Sequence, residues 1–261
     1  MIVRENRGDI AVLRMERGKV NALDPELLQA LADAAAELRE ASPRAVVLTG
    51  SGRNFSAGLD LVRLLDGGAD YRARLLPLLH EVILSLFTLP RPVVAAVNGH
   101  AIAGGFVLAC ACDYRLVARS GARLGVTELP VGVPFPAAPL EMVRTVLGTG
   151  RAREVVYSGR LFSPEEGARL GFADELVEPA DLLDRAVEVA ARWGAAPHAA
   201  FALTKAQLQA PVVERLRQGA GAIDTEVAAV WGHPDTGRAI SAFIARTLGG
   251  RGDDGRAGAP S

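Results

Sequence analysis

The chain is poor in the residue types that announce metal, redox or polyanion chemistry. It holds two cysteines and four histidines in 261 residues. Cys110 and Cys112 lie two apart within an apolar helical pattern, so they cannot face one another, and neither has further Cys or His at ligand spacing. They are expected to be core thiols, and no metal site is expected. Aromatic residues make up only 5% of the chain, so its 49% hydrophobic content is chiefly aliphatic. The formal net charge is -1, with basic residues spread along the sequence, which leaves no footprint for nucleic acid. No apolar run approaches a membrane span, and Met1-Ile2-Val3-Arg4-Glu5 does not open a signal segment. A cytoplasmic protein without membrane or nucleic-acid partners is the expectation.

What is present is an alternation of aliphatic strands and amphipathic helices. Residues Asp9–Met15 alternate like a half-buried strand. Asp24-Pro25-Glu26 then reads as a helix start, with a capping Asp, Pro at the first helical position and an acid in the first turn. Leu27, Leu28, Leu31, Ala35 and Leu38 form the apolar stripe of that helix. Arg44–Gly50 is a nearly continuous aliphatic run, the pattern of a strand covered on both faces. The alternation continues with a helix over Leu75–Leu86, a strand over Val93–Val97, a helix over Gly104–Ala111 and a strand over Tyr114–Ala118. The body is therefore α/β. Beyond about Ala180 the strands stop, and Asp181–Trp193, Phe201–Gln209, Pro211–Val230 and Asp235–Leu248 carry helical periodicity. This divides the chain into a core over 1–195, a helical module over 196–248 and a disordered Gly- and Arg-rich tail over 249–261.

The stretch from Pro92 to Val107 carries the chemistry. A buried strand ends at Asn98-Gly99, and a helix restarts at Ala103-Gly104-Gly105. The first N–H groups of a helix lack intrahelical partners and sit at the positive end of its dipole, so negative charge developing on a carbonyl oxygen is stabilised there. A second glycine turn, Asn54-Phe55-Ser56-Ala57-Gly58-Leu59-Asp60-Leu61, offers another donor, and the amides of Leu59 and Gly104 can converge on one oxygen. Neither a dinucleotide fingerprint nor a P-loop is present.

From about Arg14 to Leu248 the sequence resembles the crotonase family of enoyl-CoA hydratases and isomerases. The matching blocks are Val20-Asn21-Ala22-Leu23, Phe55-Ser56-Ala57-Gly58-Leu59-Asp60-Leu61, Ala96-Val97-Asn98-Gly99, Ala103-Gly104-Gly105, Cys112-Asp113-Tyr114-Arg115 and Glu128-Leu129-Pro130-Val131-Gly132. The resemblance implies a crotonase (ClpP-like) fold of repeated ββα units, in which the C-terminal helices make a homotrimer or a dimer of trimers. It implies an acyl-CoA thioester substrate, with coenzyme A entering as part of that substrate and no separate cofactor. The Leu59 and Gly104 amides are then the oxyanion hole. Lys19, Val20, Ala22, Ala57 and Leu61 are implied to contact the CoA moiety, and Lys205 to reach the nucleotide of a neighbouring subunit. Hydratases of the family use two glutamates, one on the helix behind the oxyanion glycines and one after the following strand. Here those positions read Val107 and Glu128.

That difference changes the expected reaction. Hydration needs a water held between an acid and a base, and an aliphatic side chain does neither. A double-bond shift needs one carboxylate, which moves a proton between C2 and C4 of the acyl chain. The pattern thus resembles the mitochondrial-type Δ3,Δ2-enoyl-CoA isomerases. Glu128 is expected to be the sole base and acid, and burial among apolar neighbours to raise its pKa. Phe106, Val107, Val133 and Phe135 are expected to wall the acyl pocket. Glu81 and His80 are the candidates for a second acid, on a helix surface that is their plainer position. Glu141 reads as the ion-pair partner of Arg144, Asp60 as a turn cap, and Asp113 and Arg115 as structural anchors. Two alternatives stay open: a hydratase or another crotonase reaction using a different second acid, and a protein that binds acyl-CoA without turnover.

Overall fold

The structure, a computed structural model, describes residues 1–41 and 43–249. The expected disordered tail therefore lies, apart from Gly249, outside the described residues. Strand β1 (Ile2–Arg7) pairs antiparallel with β2 (Ile10–Met15), and α1 (Pro25–Ala41) follows. Asp24 starts α1 as the sequence indicates, its Oδ1 accepting from the Leu27 amide at 2.8 Å.

Three successive units then repeat one arrangement. Strands β3 (Ala45–Thr49) and β4 (Asn54–Ser56) precede α2 (Leu61–Asp66) and α3 (Gly68–Phe87). Strands β5 (Val93–Val97) and β6 (His100–Ile102) precede α4 (Gly104–Cys110). Strands β7 (Tyr114–Ala118) and β8 (Leu124–Gly125) precede α5 (Glu128–Val131) and α6 (Ala137–Ser158). The first strand of each unit enters a six-stranded sheet of order β1-β2-β3-β5-β7-β9, and the second enters a three-stranded sheet of order β4-β6-β8. Helix α7 (Pro164–Leu170) leads to β9 (Glu175–Val177), and α8 (Leu182–Gly194), α9 (His198–Gly232) and α10 (Pro234–Gly249) complete the chain.

The continuous aliphatic strands are explained by burial on both faces of the large sheet. Alternate residues Val12, Val47, Val94 and Leu116 pack with Leu182, Ala186 and Val189 of α8. Their neighbours Leu13, Leu48, Ala95 and Val117 belong to the larger core formed with α1, α3 and α4. Each β-strand side chain points opposite to the next, so only a run apolar at every position can satisfy both layers.

Two boundaries differ from expectation. The segments Phe201–Gln209 and Pro211–Val230 form one helix, because Pro211 falls at an exposed position of α9 where its missing N–H forfeits a single bond. The family resemblance puts Glu128 on the loop after the strand, whereas it opens a one-turn helix that Gly132 ends in the left-handed region (φ 91°).

Candidate active site

The C-terminal ends of β3 and β5 bring the two glycine turns together. Buried Asn21 latches the segment before α1 to β4, its Nδ2 donating to the carbonyls of Asn54 and Phe55 at 3.1 and 3.2 Å. The Leu23 amide donates to Gly58 O at 2.8 Å, and the Asp60 amide donates to Leu23 O at 3.1 Å. Amides alternate in direction along an extended segment, so the Leu59 N–H points away from this bridge. Asp60 caps α2 through Arg63 N, as its position in the turn indicates.

Gly58 faces the start of α4 at close range. With φ at +85°, an added Cβ would lie 2.8 Å from Ile102 O, 2.9 Å from Ala103 Cβ and 3.1 Å from Gly104 N. Ala103 itself holds φ 49° and ψ -122°, a conformation that costs an alanine about 1–3 kcal/mol. The turn is held by Ala103 N donating to Gly125 O at 2.8 Å and by Ala103 O accepting from Val107 N at 3.1 Å. Gly104 is the first residue of α4, where amides lack intrahelical partners, and it lines the same cavity as Leu59. Two backbone amides thus border one cavity, the kind of arrangement that holding an oxyanion requires.

That cavity has a volume of about 200 Å³. Of the residues expected to line it, Ala57, Leu59, Leu61, Gly104, Val107, Glu128 and Val133 do so. Among the described residues Glu128 is the sole ionisable side chain in its wall. The residue is partly exposed, but Oε2 is buried and has no hydrogen-bond partner. Burial pushes the carboxyl up to about 7, against a partial pull from the backbone amides of Glu128 and Thr127. A carboxyl near neutrality can both take and return a proton.

Several expected positions are corrected. Phe106 points away from the cavity, stacked on Phe172 at 4.0 Å and edge-on to Phe162 at 5.8 Å. Phe135 is packed in the core and does not line the cavity. Lys205 is buried, and its Nζ donates to Asp113 Oδ2 at 2.7 Å and to Arg91 O at 3.0 Å, so its charge is spent inside the fold and not on a nucleotide. Glu141 is also buried, and Arg215 of α9 joins Arg144 on its carboxylate. Lys19, Val20 and Ala22 were expected beside the CoA moiety and not in the cavity wall; they lie on the loop paired to the Ala57–Asp60 turn, outside that wall, a placement that does not contradict the expectation.

Other assignments match their placement. Arg115 donates to the carbonyls of Phe172 and Cys112 and pairs with Asp174. Both cysteines are buried free thiols whose pKa burial raises. Glu81 is exposed, and His80 Nδ1 lies 3.8 Å from Asp224; neither borders the cavity.

The wall residues that sequence reasoning did not single out include Trp231 of α9 and Phe243 and Thr247 of α10. Their apolar periodicity was visible, but not that α10 folds back over α2 and α5.

Residues 5–244 match the profile of the enoyl-CoA hydratase/isomerase family. The chain belongs to this family. It is 36% identical over 218 residues to a probable enoyl-CoA hydratase of Mycobacterium avium, covering 80% of this chain and 83% of that one. A putative enoyl-CoA hydratase of Thermus thermophilus is 37% identical over 219 residues, covering 80% and 84%. Human mitochondrial Δ3,Δ2-enoyl-CoA isomerase superposes with a TM-score of 0.91 at 27% identity, over 96% of this chain and 99% of the human one. The paired sheets fed by repeated ββα units are accordingly the crotonase fold, and the chain is an enzyme of the hydratase/isomerase family.

Proposed function

We propose that this family member is an isomerase that converts a 3-enoyl-CoA to a 2-enoyl-CoA, with Glu128 as its one proton carrier. The observation that carries this reading is the composition of the cavity wall. Among the described residues Glu128 supplies its single carboxylate, and aliphatic Val107 of α4 shares that wall. Of the wall's other polar side chains, Thr127, Trp231 and Thr247, the last two are already engaged. Trp231 Nε1 already donates to Pro134 O at 3.0 Å, and Thr247 Oγ1 to Phe243 O at 2.8 Å.

In the proposed reaction the thioester oxygen lies against the Leu59 and Gly104 amides. Ionised Glu128 removes a proton from C2, and the electron pair delocalises over the dienolate onto that oxygen. Each preorganised amide contributes about 3 kcal/mol to holding the charge. The neutral acid then returns the proton at C4, so the double bond moves and no water is added. Coenzyme A enters with the substrate, its pantetheine passing Ala57, Leu61 and the Lys19–Ala22 loop.

The helical module is proposed to join three chains or two such trimers. Leu203, Leu208, Ile223 and Val230 of α9 are exposed at 64, 77, 50 and 46%, apolar area that self-association would cover.

The curated relatives named as hydratases motivate the competing reading. It requires a second acid, and neither Glu81 nor His80 borders the cavity. The test is a panel of 2-enoyl- and 3-enoyl-CoAs of several lengths, monitored for isomer and hydrate. Isomer from the 3-enoyl substrates, lost in Glu128→Gln, is the expected result. Full isomerase activity in that variant, or hydrate as the main product, would refute the assignment.

A further inference from the structure

We propose that a cavity on the opposite edge of the large sheet binds a small organic phosphate. It lies where the N-terminal ends of β3 and β5 meet the α8–α9 connection, away from the Leu59–Gly104 site at the strands' C-terminal ends. Its volume is about 380 Å³, and its lining among the described residues includes Arg44, Arg91, His198, Trp193 and Phe201 but no carboxylate. A volume of this size suits a small ligand.

Arg91 is the central observation. Its Nε is buried without a hydrogen-bond partner, and burial lowers the guanidinium's pKa with no neighbouring charge opposing it. The side chain is otherwise partly exposed, and a guanidinium stays protonated in a protein, so Arg91 offers the cavity a cationic donor fork whose buried Nε lacks a partner. Two further features point the same way. Helix α9 begins at this cavity with Pro197 as its N-cap and no side chain capping it, leaving first-turn amides for phosphate oxygens. Arg44 is engaged only at the rim, its Nε 3.2 Å from Asp9 with both side chains largely exposed.

The apolar walls suit an ester rather than the free ion. Trp193 is fixed edge-on to Tyr114 at 5.2 Å, and Phe201 stands in the first turn of α9. An aromatic or aliphatic body can rest on these rings while its phosphate meets Arg91 and the α9 amides.

Calorimetric titration of the full chain with phenyl phosphate tests the proposal, with inorganic phosphate as the second probe. Saturable binding of phenyl phosphate, tighter than that of inorganic phosphate, is expected. Arg91→Met should weaken it about tenfold or more, with the far-UV spectrum and melting temperature reporting that the variant is folded. Asp9→Asn frees Arg44 and should tighten binding, which tests the site without touching Arg91. Absence of saturation at millimolar phenyl phosphate, wild-type affinity in Arg91→Met, or unchanged affinity in Asp9→Asn would overturn the proposal.

Discussion

Replacing Glu128 with Gln should remove catalysis and stabilise the protein at neutral pH. In the folded chain the Glu128 carboxyl is raised from 4.5 to about 7 by burial. Unfolding returns it to its ordinary value, so between roughly pH 4.5 and pH 7 the unfolded state binds fewer protons than the native one. Stability therefore falls with rising pH across that window. At about 1.4 kcal/mol per unit, and with some relief because the residue is partly exposed, ionised Glu128 costs on the order of 2–3 kcal/mol above pH 7. Glutamine has no such cost. Urea unfolding of the two proteins should agree near pH 4.5 and diverge through pH 7, with Glu128→Gln the more stable by that amount. A stability difference that does not change with pH would refute the claim that the fold holds this carboxyl desolvated.

Other substitutions probe separate parts of the account. Gly58→Ala forces a Cβ against Ile102 O and Ala103 Cβ at φ +85°; it should lower stability by about 2 kcal/mol and kcat about a hundredfold or more, read by melting and steady-state turnover. Lys205→Met strips the ammonium from Asp113, whose pKa burial already raises despite that partner. It should cost about 3 kcal/mol in urea while leaving KM for acyl-CoA unchanged. Val107→Glu places a second carboxylate in the cavity wall, and the expected result is measurable hydration of a 2-enoyl-CoA where the parent protein shows none.

The large sheet was legible because two-sided burial demands unbroken aliphatic runs, as in Val93–Val97. The short sheet was not, since its strands are two or three residues long and carry no period. The two glycine turns could be read from Gly58 and the Gly104-Gly105 pair, since close backbone approach excludes a Cβ at Gly58 and Gly105. Side-chain direction on a wholly buried helix could not: every residue of α4 is apolar or small, so nothing in the pattern separates cavity-facing Val107 from core-facing Phe106. Lys205 misled for a related reason. A lysine on an amphipathic helix reads as solvated, and its partner Asp113 lies 92 residues away. The α10 wall depends on how the last helix folds back, which local periodicity does not encode.

The proton-transfer claim is tested most directly by turning over a 3-enoyl-CoA in oxygen-labelled water and analysing the products by mass. One carboxylate in an apolar cavity predicts 2-enoyl-CoA as the product, with no oxygen label taken up. Labelled 3-hydroxyacyl-CoA formed as fast as the isomer would contradict it, because a second group would then have to hold and activate the water.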